Sequence, residues 1–219
     1  MKNVKLQNSK EQKKGIKVLG LLGSPRRQGN TEILLDSALA GAVDRGAEVE
    51  KLLLSEMDIS PCKEIYACLE AGRCAIHDDM QIIYEKISAA DHLIFASPIF
   101  FYGITAQAKA MVDRCQALWV KKYILGIGRE GTRARRGVFI SVGATRGKNL
   151  FEGAVLTVKY FYDAIGVNYV NALLVNKVDT KARIREHPSA IRDAFLLGQQ
   201  LVFPSYLRCC KTTSSNGED

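Results

Sequence analysis

Short apolar segments alternate with amphipathic segments along the chain, from about residue 16 to residue 202. The apolar segments have no helical period, which is typical of parallel strands buried on both faces. The segments between them repeat apolar residues every three or four positions, which predicts helices. Strands are predicted at residues 16–22, 47–54, 92–96, 138–142 and 167–175, and helices at about 31–45, from Met80, from Ala106 to Trp119, at about 150–165 and at 190–202.

Strands joined by helical crossovers indicate an α/β fold with a doubly wound parallel sheet and helices on both faces. A single sequence leaves the strand order open. In the order 2-1-3-4-5 the sheet reverses direction between the first and third strands, and ligands bind at the carboxyl ends of strands beside such a point. The loops after strands one, three and four would then converge, and all three are polar loops that contain glycine.

The loop after the first strand carries groups that bind anions. Its hydroxyl, amide and guanidinium donors are Ser24, Arg26, Gln28, Asn30 and Thr31. The free N–H groups and the dipole of the following helix also attract a phosphate. The alternative is an ordinary turn in which Asn30 or Thr31 caps the helix. The segment has neither the Lys-Ser/Thr pair of a P-loop nor the three-glycine spacing of a dinucleotide fingerprint.

The loops after the third and fourth strands have a different chemistry. The first of them is a run of apolar residues: Pro98, Ile99, Phe100, Phe101, Tyr102 and Gly103. Such a shelf suits a flat ring, with main-chain groups to meet its polar edge, and the alternatives are a hydrophobic plug or a subunit contact. The second contains Ser141, Gly143, Ala144 and Thr145, and glycine there permits a close backbone approach.

These loops resemble those of a known family, the flavodoxin-like NAD(P)H-dependent FMN reductases. The run Gly23-Ser24-Pro25-Arg26-Arg27-x-Gly29-Asn30-Thr31 looks like the family's phosphate-binding loop. Residues 97–107 resemble its Ser-Pro-x-Tyr segment followed by Thr-Ala-Gln, with Phe100 at the tyrosine position, and residues 141–147 resemble the loop along its flavin.

The resemblance implies a flavodoxin-like five-stranded sheet of order 2-1-3-4-5 in a three-layer αβα fold. It also implies FMN as the cofactor, NADPH or NADH as co-substrate, and a homodimer or homotetramer. The first loop would hold the FMN phosphate and ribityl chain. The isoalloxazine ring would be held by the other two loops, through Pro98, Ile99, Phe100, Phe101, Gly103, Ser141, Gly143, Ala144 and Thr145.

The activity implied is hydride transfer from NAD(P)H through FMN to a flavin, a quinone or a similar small-molecule acceptor. Flavin chemistry needs no obligatory protein acid or base. The sequence has no recognisable nucleophile triad or carboxylate pair, so no catalytic residue is predicted. Arg146 or Lys148 could meet the nicotinamide phosphates, on grounds of charge alone. The alternative function is a flavodoxin-like or iron–sulfur-flavoprotein-like electron carrier that a protein partner reduces; a nucleic-acid-binding protein on the same fold is a third.

Three cysteines, Cys62, Cys68 and Cys74, lie in a segment that resembles the cluster segment of iron–sulfur flavoproteins. That segment carries four closely spaced cysteines, and Ile65 stands where the second would fall. The prediction is a loop that has lost its cluster and holds no metal. The alternatives are a cluster with an outside fourth ligand, for which Cys115 could serve if its helix faces the loop, a three-iron cluster, and a zinc site completed by His77.

Composition and charge limit the remaining possibilities. The 219 residues fit one domain, predicted at 15–208 between flexible ends at 1–14 and 209–219. The net charge of +8 comes largely from the first residues and from a basic run at 129–136, without the interleaved aromatics of a nucleic-acid groove. No apolar stretch spans a bilayer and the amino terminus has no signal-peptide core, which predicts a cytoplasmic protein without nucleic-acid or membrane partners.

Overall fold

The computed structural model describes residues 15–127 and 134–203. One parallel sheet is formed by β1 (Lys17–Leu22), β2 (Glu48–Leu53), β3 (His92–Pro98), β4 (Arg136–Val142) and β5 (Asn168–Val175). The strands lie in the order β2-β1-β3-β4-β5, which confirms the predicted order. The predicted strand bounds differ from these by one or two residues. The two predicted flexible ends and residues 128–133 of the basic segment lie outside the described residues.

Helices cover both faces of the sheet. They are α1 (Asn30–Asp44), α2 (Cys68–Ala71), α3 (Met80–Ala89), α4 (Ala106–Arg114), α5 (Gln116–Tyr123), α6 (Glu152–Ala164) and α7 (Ala190–Val202). Short 3-10 turns follow β2 and precede α7, at Leu54–Glu56 and Arg183–Glu186. None of the helices in the described segments has the length and hydropathy that crossing a membrane requires.

Two hydrophobic cores lie on opposite faces of the sheet. Successive residues of β1 point to alternate sides, so that Val18 and Leu22 belong to the core under α1 and α7. Leu19 and Leu21 belong to the core under α3, α4 and α6. Because both sides of each central strand are buried, the sequence reads there as an unbroken apolar run.

Helices α1 and α7 pack closely where each has a glycine. A Cβ atom on Gly41 would collide with the backbone of Phe195, and one on Gly198 would collide with the backbone of Ala38. Glycine at these two positions therefore sets how near the helices approach.

The predicted continuous helix from Ala106 to Trp119 is wrong, because the chain breaks at Cys115 between α4 and α5. The hydroxyl of Tyr84 donates to the carbonyl oxygen of Arg114 at 2.6 Å, which diverts that carbonyl from the helix. The N–H of Cys115 is shared between the carbonyls of Met111 at 3.2 Å and Val112 at 3.0 Å, a tightened turn. The short helix α2 also lies in a segment predicted to be loop.

Two arginines of the basic run bind the ends of helices. Arg135 donates to the carbonyls of Ile87 and Ala90, at the end of α3, and to the carbonyl of Ile165 just after α6. Arg136 donates to the carbonyls of Gln200 and Leu201 at the end of α7. Cations near helix carboxyl termini stabilise them, so this part of the positive charge serves the fold.

Tyr162 joins α6 to the middle of the sheet. Its hydroxyl donates to the carbonyl of Val138 at 2.7 Å and accepts the N–H of Phe95 at 3.1 Å, and the residue is fully buried. We expect Tyr162→Phe to lower the free energy of unfolding by about 1–3 kcal/mol, since it removes both hydrogen bonds that the hydroxyl makes to buried backbone groups. Urea denaturation measures the change.

Tyr160 provides the matched control for this substitution. It lies two residues away on the same helix, and 70% of its surface is exposed. Tyr160→Phe should change the free energy of unfolding by less than about 0.5 kcal/mol. Equal losses in the two variants would contradict the bridging role of the Tyr162 hydroxyl.

Candidate functional site

A cleft opens at the carboxyl ends of the central strands, where the sheet order reverses. The predicted convergence of the loops after β1, β3 and β4 is confirmed, and a fourth loop, after β5, joins them. The lining residues are Ser24, Pro25, Arg26, Gly29, Asn30, Thr31, Pro98, Ile99, Phe100, Val142, Ala144, Val178 and Asp179. The sequence did not indicate Val178 and Asp179, because nothing in their loop signals a site.

Helix α1 begins at this cleft with its backbone donors available. Its N-cap is Gly29, in extended conformation, and within the described residues no side chain caps this end. The alternative in which Asn30 or Thr31 merely caps the helix is therefore wrong. A Cβ atom on Gly29 would lie 2.9 Å from the carbonyl oxygen of Arg26, so the turn needs glycine. The uncapped N–H groups suit an anion.

Two predicted anion donors are engaged with the loop after β5. The Asn30 side chain donates to the carbonyl of Thr180 at 2.9 Å and accepts the N–H of Ile184 at 3.1 Å. Arg26 donates from Nη1 to the carbonyl of Asp179 at 3.2 Å. These bonds join the first loop to the fourth. The two predicted hydroxyl donors, Ser24 and Thr31, are both buried and line the cleft.

Glu32, in the first turn of α1, is hydrogen-bonded to the loop after β1. Its buried carboxylate accepts the N–H of Gln28 at 2.5 Å and the Lys51 ammonium at 2.9 Å. Burial alone raises the pKa of Glu32, but the hydrogen bonds from Lys51 and Gln28 outweigh it and lower that pKa below its ordinary value. Gln28 itself is exposed and does not line the cleft. A glutamate three residues after the N-cap is the capping-box position, a signal available in the sequence.

The aromatic loop after β3 is a tight two-residue turn. Phe100 and Gly103 exchange two backbone hydrogen bonds of 3.0 Å each. Phe101 and Tyr102 between them have φ angles of 48° and 64°, the left-handed pair of a type I′ turn that usually contains Asn or Gly. Phe101 and Gly103 lie outside the cleft lining, and the Phe101 side chain is fully exposed.

Of the residues predicted in the loop after β4, most lie behind the cleft surface and do not line it. Ser141 is fully buried and donates to the carbonyl of Ser97 at 2.8 Å, so it supports the wall and does not line it. A Cβ atom on Gly143 would lie 2.7 Å from Leu150, and this glycine serves packing within the protein. Thr145 is exposed and accepts the N–H of Gly147 at 3.4 Å. Ala144 lines the cleft.

The cysteine loop forms a separate cleft. Cys62, Cys68 and Cys74 line it together with Asp113 and Gln116, among others. Arg114, which is 1% exposed, pairs with Asp78 through nitrogen–oxygen distances of 2.7 and 3.1 Å. His77 is exposed and does not line this cleft, and Cys115 is fully buried.

The strand order and the cleft at the switch point define a flavodoxin-like α/β protein. The sequence model of the NADPH-dependent FMN reductase family matches residues 16–172. The chain belongs to this family, which supports the predicted cofactors FMN and NAD(P)H.

Individual relatives agree with that assignment. An iron-sulfur flavoprotein of Archaeoglobus fulgidus is 36% identical over 152 residues, which is 68% of this chain and 73% of the relative. One from Methanocaldococcus jannaschii is 36% identical over 131 residues, 60% of this chain and 64% of the relative. The fold matches a solved NAD(P)H:quinone oxidoreductase from Methanothermobacter marburgensis, with a TM-score of 0.65 and 20% identity over 86% of this chain and 96% of that one.

The Asp78–Arg114 pair makes stability depend on pH. Burial raises the pKa of Asp78, but hydrogen bonds, chiefly from Arg114, outweigh it and lower that pKa below its ordinary 3.8. A lowered carboxyl pKa stabilises the fold above the ordinary pKa, and this contribution is lost as the pH falls through the lowered value. We expect Asp78→Asn to cost about 3 kcal/mol at pH 7, because it leaves the buried guanidinium uncompensated.

The measurement is the free energy of unfolding by urea for the wild type and Asp78→Asn between neutral pH and the acid transition. The difference between them should shrink only at the acid end. Asp79→Asn, which removes a neighbouring carboxylate that accepts the N–H of Asp58, is the control for the loss of one acid. A difference that does not change with pH would contradict the role of the Asp78 carboxylate.

Proposed function

We propose that this protein is an FMN-dependent oxidoreductase that takes hydride from NADPH or NADH and passes the electrons to a small-molecule acceptor such as a flavin or a quinone. The observation that carries the proposal is the uncapped amino terminus of α1, which opens into the same cleft as the apolar shelf after β3. An anion site beside an apolar wall suits a molecule with a phosphate at one end and a flat ring at the other.

Each part of the cleft would hold a different part of FMN. The first-turn N–H groups of α1, with the Ser24 and Thr31 hydroxyls and the Arg26 guanidinium, would bind the phosphate and ribityl chain. Pro98, Ile99, Phe100 and Ala144 would hold the ring. Asn30, Gln28, Ser141 and Gly143 would act on the cofactor indirectly, because their side chains or positions support the loops. When bound, FMN supplies the hydride-accepting and electron-donating chemistry.

Few ionisable side chains line the cleft. Among the lining residues, Arg26 and Asp179 carry ionisable side chains. The backbone carbonyl of Asp179 accepts from the Arg26 guanidinium, which holds the two loops together. A site with so few acids and bases suits a reaction in which the cofactor carries the chemistry and the protein binds, orients and excludes water. Phe101 and Tyr102, exposed beside the cleft, would contact the acceptor or a second copy of the chain.

Steady-state oxidation of NADPH tests the activity. Protein saturated with FMN is mixed with NADPH or NADH, with and without a quinone such as menadione, and the nicotinamide absorbance is followed. We expect many turnovers per chain with the quinone and slow turnover without it. A protein that a chemical reductant reduces fully but that neither nicotinamide reduces would contradict the proposal and favour the electron carrier.

Gly29→Ala tests the phosphate end of the cleft. The new methyl group would lie against the Arg26 carbonyl and shift the loop away from the start of α1, so we expect the FMN dissociation constant to rise by about tenfold or more. Quenching of FMN fluorescence measures the affinity.

Gly46→Ala at the other end of α1 is the matched control. Gly46 has a φ of 77° and open space around it, so its alanine variant strains the backbone away from the cleft. It should lower stability by about 1 kcal/mol without changing the FMN affinity. An unchanged affinity in Gly29→Ala would place the phosphate elsewhere.

A further inference from the structure

The cysteine loop can be compared, residue by residue, with the four-thiolate cluster that its resemblance implies. Cys62, Cys68 and Cys74 are each separated by five residues, and Ile65 falls at the second ligand position. An isoleucine offers no atom that binds iron. Ile65 itself is 57% exposed at the tip of the loop.

The other sulfur and nitrogen ligands considered do not complete the set. Cys115 is fully buried, with its sulfur 3.9 Å from that of Met111. His77 is exposed and outside the lining of the cysteine cleft. Among the residues that the structure describes, no three histidine, cysteine, aspartate or glutamate side chains are grouped closely enough to hold a metal ion. The residues described therefore do not supply the four ligands of the cluster that the resemblance implies.

Arg114 gives the loop another anchor. Its Nε donates to the sulfur of Cys74 at 3.2 Å, and Nη1 donates to the carbonyl of Ser60 at 2.8 Å and to Asp78 at 2.7 Å. Its Nη2 donates to the carbonyl of Ile76 and to Asp78, both at 3.1 Å. All five N–H donors of one buried guanidinium are thus used, on residues at both ends of the loop.

The tip of the loop depends on this anchor. Residues 61–67 are all exposed, and Glu64 and Tyr66, on either side of Ile65, have φ angles of 50° and 62°. Non-glycine residues in this region are strained and persist only where the surrounding structure holds them. Since residues 61–67 are exposed, the tip is held from its base, where Arg114 is bonded and where α2 packs against α5.

We propose that the cysteine loop of this chain folds around Arg114 without an iron–sulfur cluster, and that Ile65 is the residue that prevents a cluster from forming. Cys62, Cys68 and Cys74 are then free thiols on a loop whose base is a fully bonded Arg114–Asp78 pair. A functional consequence rests on the proposed function: electrons leave the protein from the FMN cleft directly to the acceptor, with no relay through the cysteine loop.

Metal analysis after reconstitution tests the proposal. The full-length wild type and Ile65→Cys are incubated anaerobically with ferrous iron and sulfide, desalted, and assayed for iron, acid-labile sulfide, zinc and bound flavin. We expect well under one iron or zinc per wild-type chain, and about four irons and four sulfides per chain of Ile65→Cys. A reduced sample of that variant should give the paramagnetic signal of a cluster.

Two results would overturn the proposal in different ways. Three or four irons in the wild type, with matching sulfide, would mean that three thiolates suffice and that the loop is a cluster site. No cluster in either protein would remove Ile65 as the cause. NADPH oxidation is followed in the same samples, so that failure of the hydride activity in iron-free protein counts against the proposed function alone.

The anchor is tested separately by limited proteolysis and thermal unfolding. Treatment of the wild type with a strong chelator should change neither its melting temperature nor its cleavage pattern, whereas Arg114→Met should be cleaved rapidly within residues 61–67. Asp78→Asn, which retains an amide of the same shape, is the milder variant if Arg114→Met does not fold. Loss of stability on chelation, or an intact loop in both variants, would contradict the anchor.

Discussion

The hydroxyl of Thr105 joins the strands that form the cleft. It donates to the carbonyl of Gly23 at 2.6 Å and accepts the N–H of Ala108 at 3.3 Å, while the Thr105 N–H donates to the Ser97 hydroxyl at 3.2 Å. Ser141 extends the network from β4 to β3. These hydroxyls are fully buried, and a buried polar group is stable only when it is bonded. The ends of β1, β3 and β4 are therefore held in one arrangement, which also fixes where the loops that follow them begin.

Several polar side chains at or behind the cleft are likewise hydrogen-bonded to other parts of the protein. Asn30 joins the loops after β1 and β5, Glu32 holds the loop at Gln28, and Ser141 ties β4 to β3. The proposed cofactor would then be met by main-chain N–H groups and a few hydroxyls that are already fixed in place. Such preorganisation suits a site that positions a cofactor, because no loop needs to be ordered when the cofactor binds.

The cysteine loop also depends on a buried polar group whose hydrogen bonds are satisfied, but there the group is charged. Buried charges are unfavourable unless they are paired and their donors are filled, and the Arg114 guanidinium meets both conditions through Asp78, two carbonyls and the sulfur of Cys74. The chain thus has two places where saturated buried polar groups set the shape of a loop. One lies beside the uncapped start of α1, and the other supports three thiols in a loop that resembles a cluster segment.

The sequence by itself determined the five strands, the flanking helices and the three loops that converge, because strands buried on both faces leave a strong apolar pattern. Tertiary structure decided which side chains face the cleft: Asn30 and Ser141 have ligand-binding chemistry but are bonded to the protein, and Val178 and Asp179 line the cleft without any local signal. It also decided the break at Cys115, where the Tyr84 hydroxyl, 30 residues from Arg114, takes a helix carbonyl. Hydrogen bonds between distant segments leave no periodic trace in the sequence, and only the folded chain brings their partners together.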